Sequence, residues 1–395
     1  MKSKAANYNH TIYACYIGYI TQAIVNNFVP LLFLTFRKQF GLTLDRITLL
    51  TTVNFGVQLF VDLISAKLLD RIGYRISIMA AHVFAALGLI GLAVFPFILP
   101  SSYAGLMISV VLYAVGGGII EVLISPIVEA CPTEKKEAAM SLLHSFYCWG
   151  HLGVVIISTL FFTAAGIGNW RIMAVLWAVI PIANTFFFAR VPIYQIVSEE
   201  ERIPVRSLFG QKMFWILMIL MICAGASEQG MSQWASAFAE SALHVGKTVG
   251  DLMGPCLFAA LMGTSRALYG KYSESLPLKK MMSASAILCI ACYLLAVFAP
   301  HPAVGLVGCA VCGFSVGLFW PGTFSIAAGA MRAGGTAMFA LLALAGDVGC
   351  SGGPTVVGLV ANAFGGELKA GLLAAIVFPV VMLIGLQANT SKENQ

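Results

Sequence analysis

The sequence predicts an all-α polytopic membrane protein of twelve transmembrane helices in two six-helix pseudo-repeats. Three observations predict it. The 395-residue chain is 59% hydrophobic and only 10% charged, with a mean hydropathy of +0.89, where an ordinary soluble domain is about 25% charged. Its apolar runs have the length of about 20 residues that crosses a bilayer as a helix, too long for barrel strands. Glycine, proline and charged positions also recur at an offset near half the chain. Helices follow because in lipid every backbone group must be satisfied within its own helix or in a closed barrel. This composition excludes a soluble enzyme, a disordered protein and a nucleic-acid binder.

The twelve spans read as roughly 11–35, 47–69, 76–99, 103–129, 138–165, 170–189, 213–239, 248–269, 281–299, 302–326, 334–363 and 369–389. The first follows only ten residues, lacks a small-residue cleavage pattern and is too long for an h-region, so no cleavable signal peptide is expected. Twelve spans put both termini on one side. With the termini in the cytoplasm, 17 Lys and Arg fall on that side and six on the other, a strong positive-inside bias. The expected location is therefore the plasma (inner) membrane with cytoplasmic termini, and the pI near 8.8 is a topology signal. The polar stretch 190–212, with Glu199, Glu200 and Glu201, reads as a cytoplasmic linker between halves 1–189 and 213–395.

A duplication should repeat its motifs at a constant offset. Gly118 and Pro126 of span four match Gly313 and Pro321 of span ten at an offset of 195. Gly150 and Gly153 of span five match Gly346 and Gly349 of span eleven at 196, and Gly73 and Arg75 match Gly270 and Lys271 at 197 and 196. Two six-helix halves repeated in parallel are a transporter architecture.

Four acids lie well inside spans: Asp62, Glu121, Glu228 and Asp347. A charge at the bilayer centre costs at least about 2.5–3.5 kcal/mol, so such residues serve function or pair with one another. No Lys or Arg reads as equally deep. Arg266 sits near the cytoplasmic end of span eight, where its side chain is expected to snorkel. Glu121, Glu228 and Asp347 are the candidate proton-coupling residues. Glu121 leads, because it follows Gly116, Gly117 and Gly118, which allow close helix approach. The competing reading is a permanently protonated Glu bonded to a neighbouring helix.

The candidate substrate-binding residues are Gln22, Asn26, Asn27, Asn54, Gln58, His144, Glu228, Gln229, Trp234 and Trp320. A sugar offers hydroxyls to carboxylates and amides and an apolar face to an indole. Trp234 also fits an interfacial belt, and Glu228 also fits sodium coordination. Asn54, Gln58 and Asp62, four apart, form one stripe of span two that lines a watery path or bonds to span eleven. His144 and His151 share a face of span five, where His151 reads as simply hydrogen-bonded. Gln22, Asn26 and Asn27 either bind substrate or pack helices. Trp320 walls a cavity or fills the core.

Other signals are discounted. Cys289-x-x-Cys292 and Cys309-x-x-Cys312 have zinc-ribbon spacing but lie in apolar spans, where thiolates are costly. They read as packing residues, and no metal or other cofactor is expected. Gly346, Gly349, Gly352 and Gly353 lie within span eleven with no Walker lysine. No catalytic motif is present, so no enzyme is expected.

After span two the chain reads Ala66-Lys67-Leu68-Leu69-Asp70-Arg71-Ile72-Gly73-Tyr74-Arg75. This resembles the loop signature G-x-L-x-D-R-x-G-R-R of the major facilitator superfamily, with Ala66 and Tyr74 departing. Within it, the whole chain is similar to the fucose–galactose–glucose:proton symporter branch. Glu228 and Trp234 resemble its E-x-x-x-x-G-W pattern with Gln233 for Gly. Leu143, His144 and Phe146 resemble its L-H-x-x-F opening, and Gly263 and Arg266 its G-x-x-x-G-R stretch. Glu121 precedes Pro126 as a carboxylate does on that branch's fourth helix. The branch's helix-one Asp is absent from Asn26-Asn27-Phe28-Val29-Pro30. The resemblance implies the major facilitator fold, alternating access and a monomer. It implies import of a small neutral polar solute, most of all a monosaccharide, with protons. A sodium-coupled sugar symporter and a proton-driven exporter of amphipathic compounds stand as alternatives. It also implies a cytoplasmic gate of Asp70, Arg71 and Arg75 within reach of Glu129.

Overall fold

The structure, a computed structural model, describes residues 8–132, 136–193, 208–272, 277–331 and 335–388. Residues 194–207 of the expected linker lie outside the described residues, as do the side chains of Asp70, Arg71 and Glu129. All described elements are helical. Among the described residues, eleven helical stretches are long and apolar enough to cross a membrane. The twelfth expected span is present in pieces.

Span one is α1 (Tyr8–Asn27), a 3-10 turn at Val29–Leu32 and α2 (Phe33–Phe40). Pro30 sits inside that turn, where its missing N–H breaks the α-ladder. Spans two to six are α3 (Leu44–Ile72), α4 (Tyr74–Ile98), α5 (Ser102–Glu129), α6 (Lys136–Ala165) and α7 (Trp170–Arg190). Span seven is α8 (Lys212–Ser232) and α9 (Ala235–Ser241). Span eight is α10 (Lys247–Asp251), a π-helical turn at Leu252–Cys256 containing Pro255, and α11 (Leu257–Tyr272). That wider turn accommodates the proline and divides the span into short helices. Spans nine to twelve are α12 (Leu278–Phe298), α13 (Pro302–Val316) with α14 (Phe319–Ala330), α15 (Gly335–Ala363), and α16 (Leu368–Ala375) with α17 (Val377–Ala388).

The chain forms two compact units, one of Met1–Gly41 and Gly56–Ser198, the other of Leu42–Phe55 and Glu199–Gln395. In the first, Ile12, Tyr16, Ile78, Ile120, Ile124 and Phe188 join α1, α4, α5 and α7 in one buried cluster. Gly116 lets α5 approach the backbone of α4 at Ala81 and Ala85. The Arg75 guanidinium donates to the carbonyls of Phe188, Ala189 and Val191 at 2.7, 2.9 and 2.8 Å. It thereby caps the open C-terminus of α7. Arg75 is thus not turned to a gate carboxylate: these donors are spent on helix carbonyls.

In the second unit, α8 and α15 meet along glycines. Gly349 and Gly353 face the carbonyls of Ile222 and Ala226, and Gly225 faces that of Gly346. Lipid tails are as apolar as leucine, so membrane helices associate through such close contacts. Gly349 and Gly353 therefore serve packing, and α15 runs unbroken through Pro354. Residues 42–55 of α3 group here, with Thr52 bonded to the Thr355 hydroxyl and Ser351 donating to the Thr52 carbonyl at 3.4 Å.

Candidate functional site

In the first unit, α1, α3, α5 and α6 bring together most of the polar residues expected there. Gln22 on α1 donates to Glu121 Oε2 on α5 at 2.5 Å. Gln58 on α3 donates to Asn26 Oδ1 at 2.8 Å. Gly117 and Gly118 make room for this: a Cβ on Gly118 would lie 3.1 Å from the Gln58 Cα. Asp62, one turn further along α3, is near enough to Glu121 to interact electrostatically. Gln22, Asn26, Asn27 and Gln58 are buried, while Glu121 is half-buried. The result is a carboxyl seated among amides, able to accept and give hydrogen bonds in several directions.

Asn27 donates to the Ala23 carbonyl at 2.9 Å and to the Tyr147 hydroxyl at 3.4 Å. Tyr147 was not singled out from the sequence. Its spacing from His144 and His151 places it on their face of α6, which was the available signal. His144 is exposed and its ring tilts against Tyr19, centroids 5.4 Å apart. His151 is buried. The sequence reading also passed over His82, which is fully buried between the Ile78 carbonyl and Asn184, each at 2.8 Å. With both ring nitrogens engaged, it is a structural histidine.

In the second unit, Glu228 on α8 is paired with Arg266 on α11, Nη2 to Oε2 at 3.1 Å. Arg266 Nε also donates to the Gly317 carbonyl at 3.3 Å, in the break between α13 and α14. This corrects the expectation that no basic side chain reaches as deep as the acids. Position along a span gives the height of a Cα, but an arginine stem carries its charge well away from it. Gln229 donates to Glu228 Oε1 at 3.2 Å, and Gln233 to Gln229 Oε1 at 3.1 Å. Both carboxylate oxygens of Glu228 thus accept.

Trp234 is fully buried and its indole donates to the Pro354 carbonyl at 3.0 Å, so its ring meets protein on all sides. Replacing it with Phe is expected to lower stability by about 1–3 kcal/mol, because the buried Pro354 carbonyl loses its indole donor, and Ala by about 3–5 kcal/mol. Thermal unfolding in detergent checks both. Trp320 is half-buried, its ring lying over Gly346 and edge-on to Phe324 at 6.2 Å. Asp347, next to Gly346 in the chain, is half-buried on α15. Asn54 is buried in the part of α3 that groups with the second unit.

Apolar spans that carry acids, amides and a guanidinium define a multi-pass membrane protein with polar groups inside its helical bundle. The chain belongs to the Major Facilitator Superfamily, whose profile matches residues 15–354. Three solved structures share the fold. A bacterial homolog of the human lysosomal transporter Spinster, inward-facing and unoccupied, is 15% identical, with 98% of each chain covered and a TM-score of 0.80. A D-xylose–proton symporter is 12% identical, with 96% of this chain and 97% of that one covered and a TM-score of 0.77. The fucose:proton symporter of E. coli is 14% identical, with 96% and 98% covered and a TM-score of 0.66. No curated protein sequence matches the chain.

Proposed function

We propose that this transporter imports a small neutral polar solute, a monosaccharide, together with protons by alternating access. One observation carries the reading: within the first unit Glu121 is held by Gln22 of α1, the helix that also carries Asn26 and Asn27, and Gln58 of α3 is bonded to Asn26. A carboxyl there can carry a proton, and the amides around it match sugar hydroxyls as donors and acceptors. Loading of proton and sugar must favour the same conformational change, because a ligand shifts an equilibrium only by its differential affinity. Glu228 and Gln229 are the corresponding set of the second unit, and His144 lies exposed on α6. Two proteins of the same fold are a D-xylose–proton symporter and a fucose:proton symporter, which supports this substrate class.

The Lys and Arg distribution supports a plasma (inner) membrane location with both termini cytoplasmic. The proposed organisation is a monomer of halves 1–189 and 213–395 joined by 190–212. Proteoliposomes given labelled monosaccharides under imposed proton or sodium gradients test the reading. Accumulation of one sugar under the proton gradient is expected. Accumulation only with sodium would reassign the ion, and no sugar transport by folded, correctly inserted protein would move export of amphipathic compounds to first place.

A further inference from the structure

The transport reading leaves four cysteines unused, and the fold brings them together. Cys289 and Cys292 are three apart on α12, and Cys309 and Cys312 three apart on α13, so each pair lines one helix face. The two helices run antiparallel through the short connection at 299–301. In that register, a step of three forward on α12 meets a step of three back on α13. Cys289 faces Cys312, with sulfurs 3.9 Å apart. Cys292 and Cys309 form the second rung, close enough to interact electrostatically. The backbones approach closely here, since a Cβ on Gly308 would lie 2.8 Å from the Cys292 carbonyl. All four side chains are buried.

We infer that these facing rungs form a dithiol site for a soft, thiophilic metal or metalloid that binds two sulfurs across α12 and α13. Among the described residues, no group of three or more His, Cys, Asp or Glu side chains is arranged to hold a metal ion. The site therefore suits two-sulfur chemistry. Charge decides which reagent fits. A tetrathiolate zinc centre would carry net negative charge into the span, at high cost. A trivalent organic arsenical forms a neutral product. Its oxide oxygen leaves as water with the two thiol protons, two As–S bonds replace the As–O bonding, and arsenic stays trivalent. No oxidant is needed. The same neutrality holds for a divalent soft ion that displaces two protons.

The test uses phenylarsine oxide on the full-length protein in proteoliposomes, in a Cys15→Ala background because Cys15 and Cys131 also lie near one another. Peptide mass spectrometry is expected to find arsenic bridging the segment with Cys289 to that with Cys312. Replacing Cys292 and Cys309 with Ala leaves a matched rung and should keep the adduct. Replacing Cys292 and Cys312 leaves Cys289 and Cys309, which belong to different rungs, and should abolish it. Equal adducts in the matched and mismatched variants, or no bridge in the parent protein, would overturn the site. Adduct formation is read without transport, so failure of the sugar reading leaves this test intact.

Discussion

Glu121→Gln is expected to exchange sugar across the membrane at near the parent rate but never to accumulate it. The substitution keeps the shape of the side chain and an oxygen that can accept from Gln22, which now does so at 2.5 Å. Substrate contacts and folding therefore survive. What disappears is the group able to hold a proton at this position. A driving force of 100 mV is worth about 2.3 kcal/mol per charge. One coupled proton turns that into roughly 50-fold accumulation of a neutral solute, because each 1.4 kcal/mol is tenfold. The variant should stop at equal concentrations inside and out, while counterflow of labelled against unlabelled sugar continues. Parent-level accumulation by Glu121→Gln would remove Glu121 from the coupling role.

The spans and the polar faces of α1, α3 and α5 were legible because hydropathy and helical spacing are local properties of the chain. Gln22, Asn26, Gln58 and Glu121 were all named from spacing and depth, and the fold joins them in pairs. The Arg266–Glu228 pair was not legible. It depends on how α11 and α8 rotate about their axes, on the reach of a long side chain, and on a break in a third helix that exposes the Gly317 carbonyl. The same limit hid the fate of Arg75, whose signature spacing marks a loop while its donors cap α7. Trp234 shows the limit from the other side. Six residues from Glu228, it fits a sugar-binding pattern, yet the turn at Gln233 directs its indole to Pro354. The thiol rungs were half legible, because each C-x-x-C was visible but their register across two helices was not.

The Glu228–Arg266 pair should reveal itself through an asymmetry between its two single variants. Breaking a buried pair by removing one partner costs about 3–5 kcal/mol, because the other charge is left uncompensated. A carboxylate left alone can shed its charge by taking a proton, whereas a guanidinium cannot. Glu228→Gln is therefore expected to be the more damaging change, costing about 3 kcal/mol, the lower end of that range, because the Arg266 side chain keeps 26% exposure. Arg266→Met should cost less, since Glu228 retains the Gln229 hydrogen bond and can neutralise itself. Combining the two removes both charges, and a neutral pair of similar volume is often no less stable than the ion pair it replaces. The double variant should thus recover most of the stability lost by Glu228→Gln. Thermal unfolding of the four proteins in one detergent at neutral pH measures this order. A double variant as unstable as the two singles summed would mean that the two side chains act separately. An Arg266→Met protein worse than Glu228→Gln would mean that the guanidinium's bond to Gly317 outweighs its bond to Glu228.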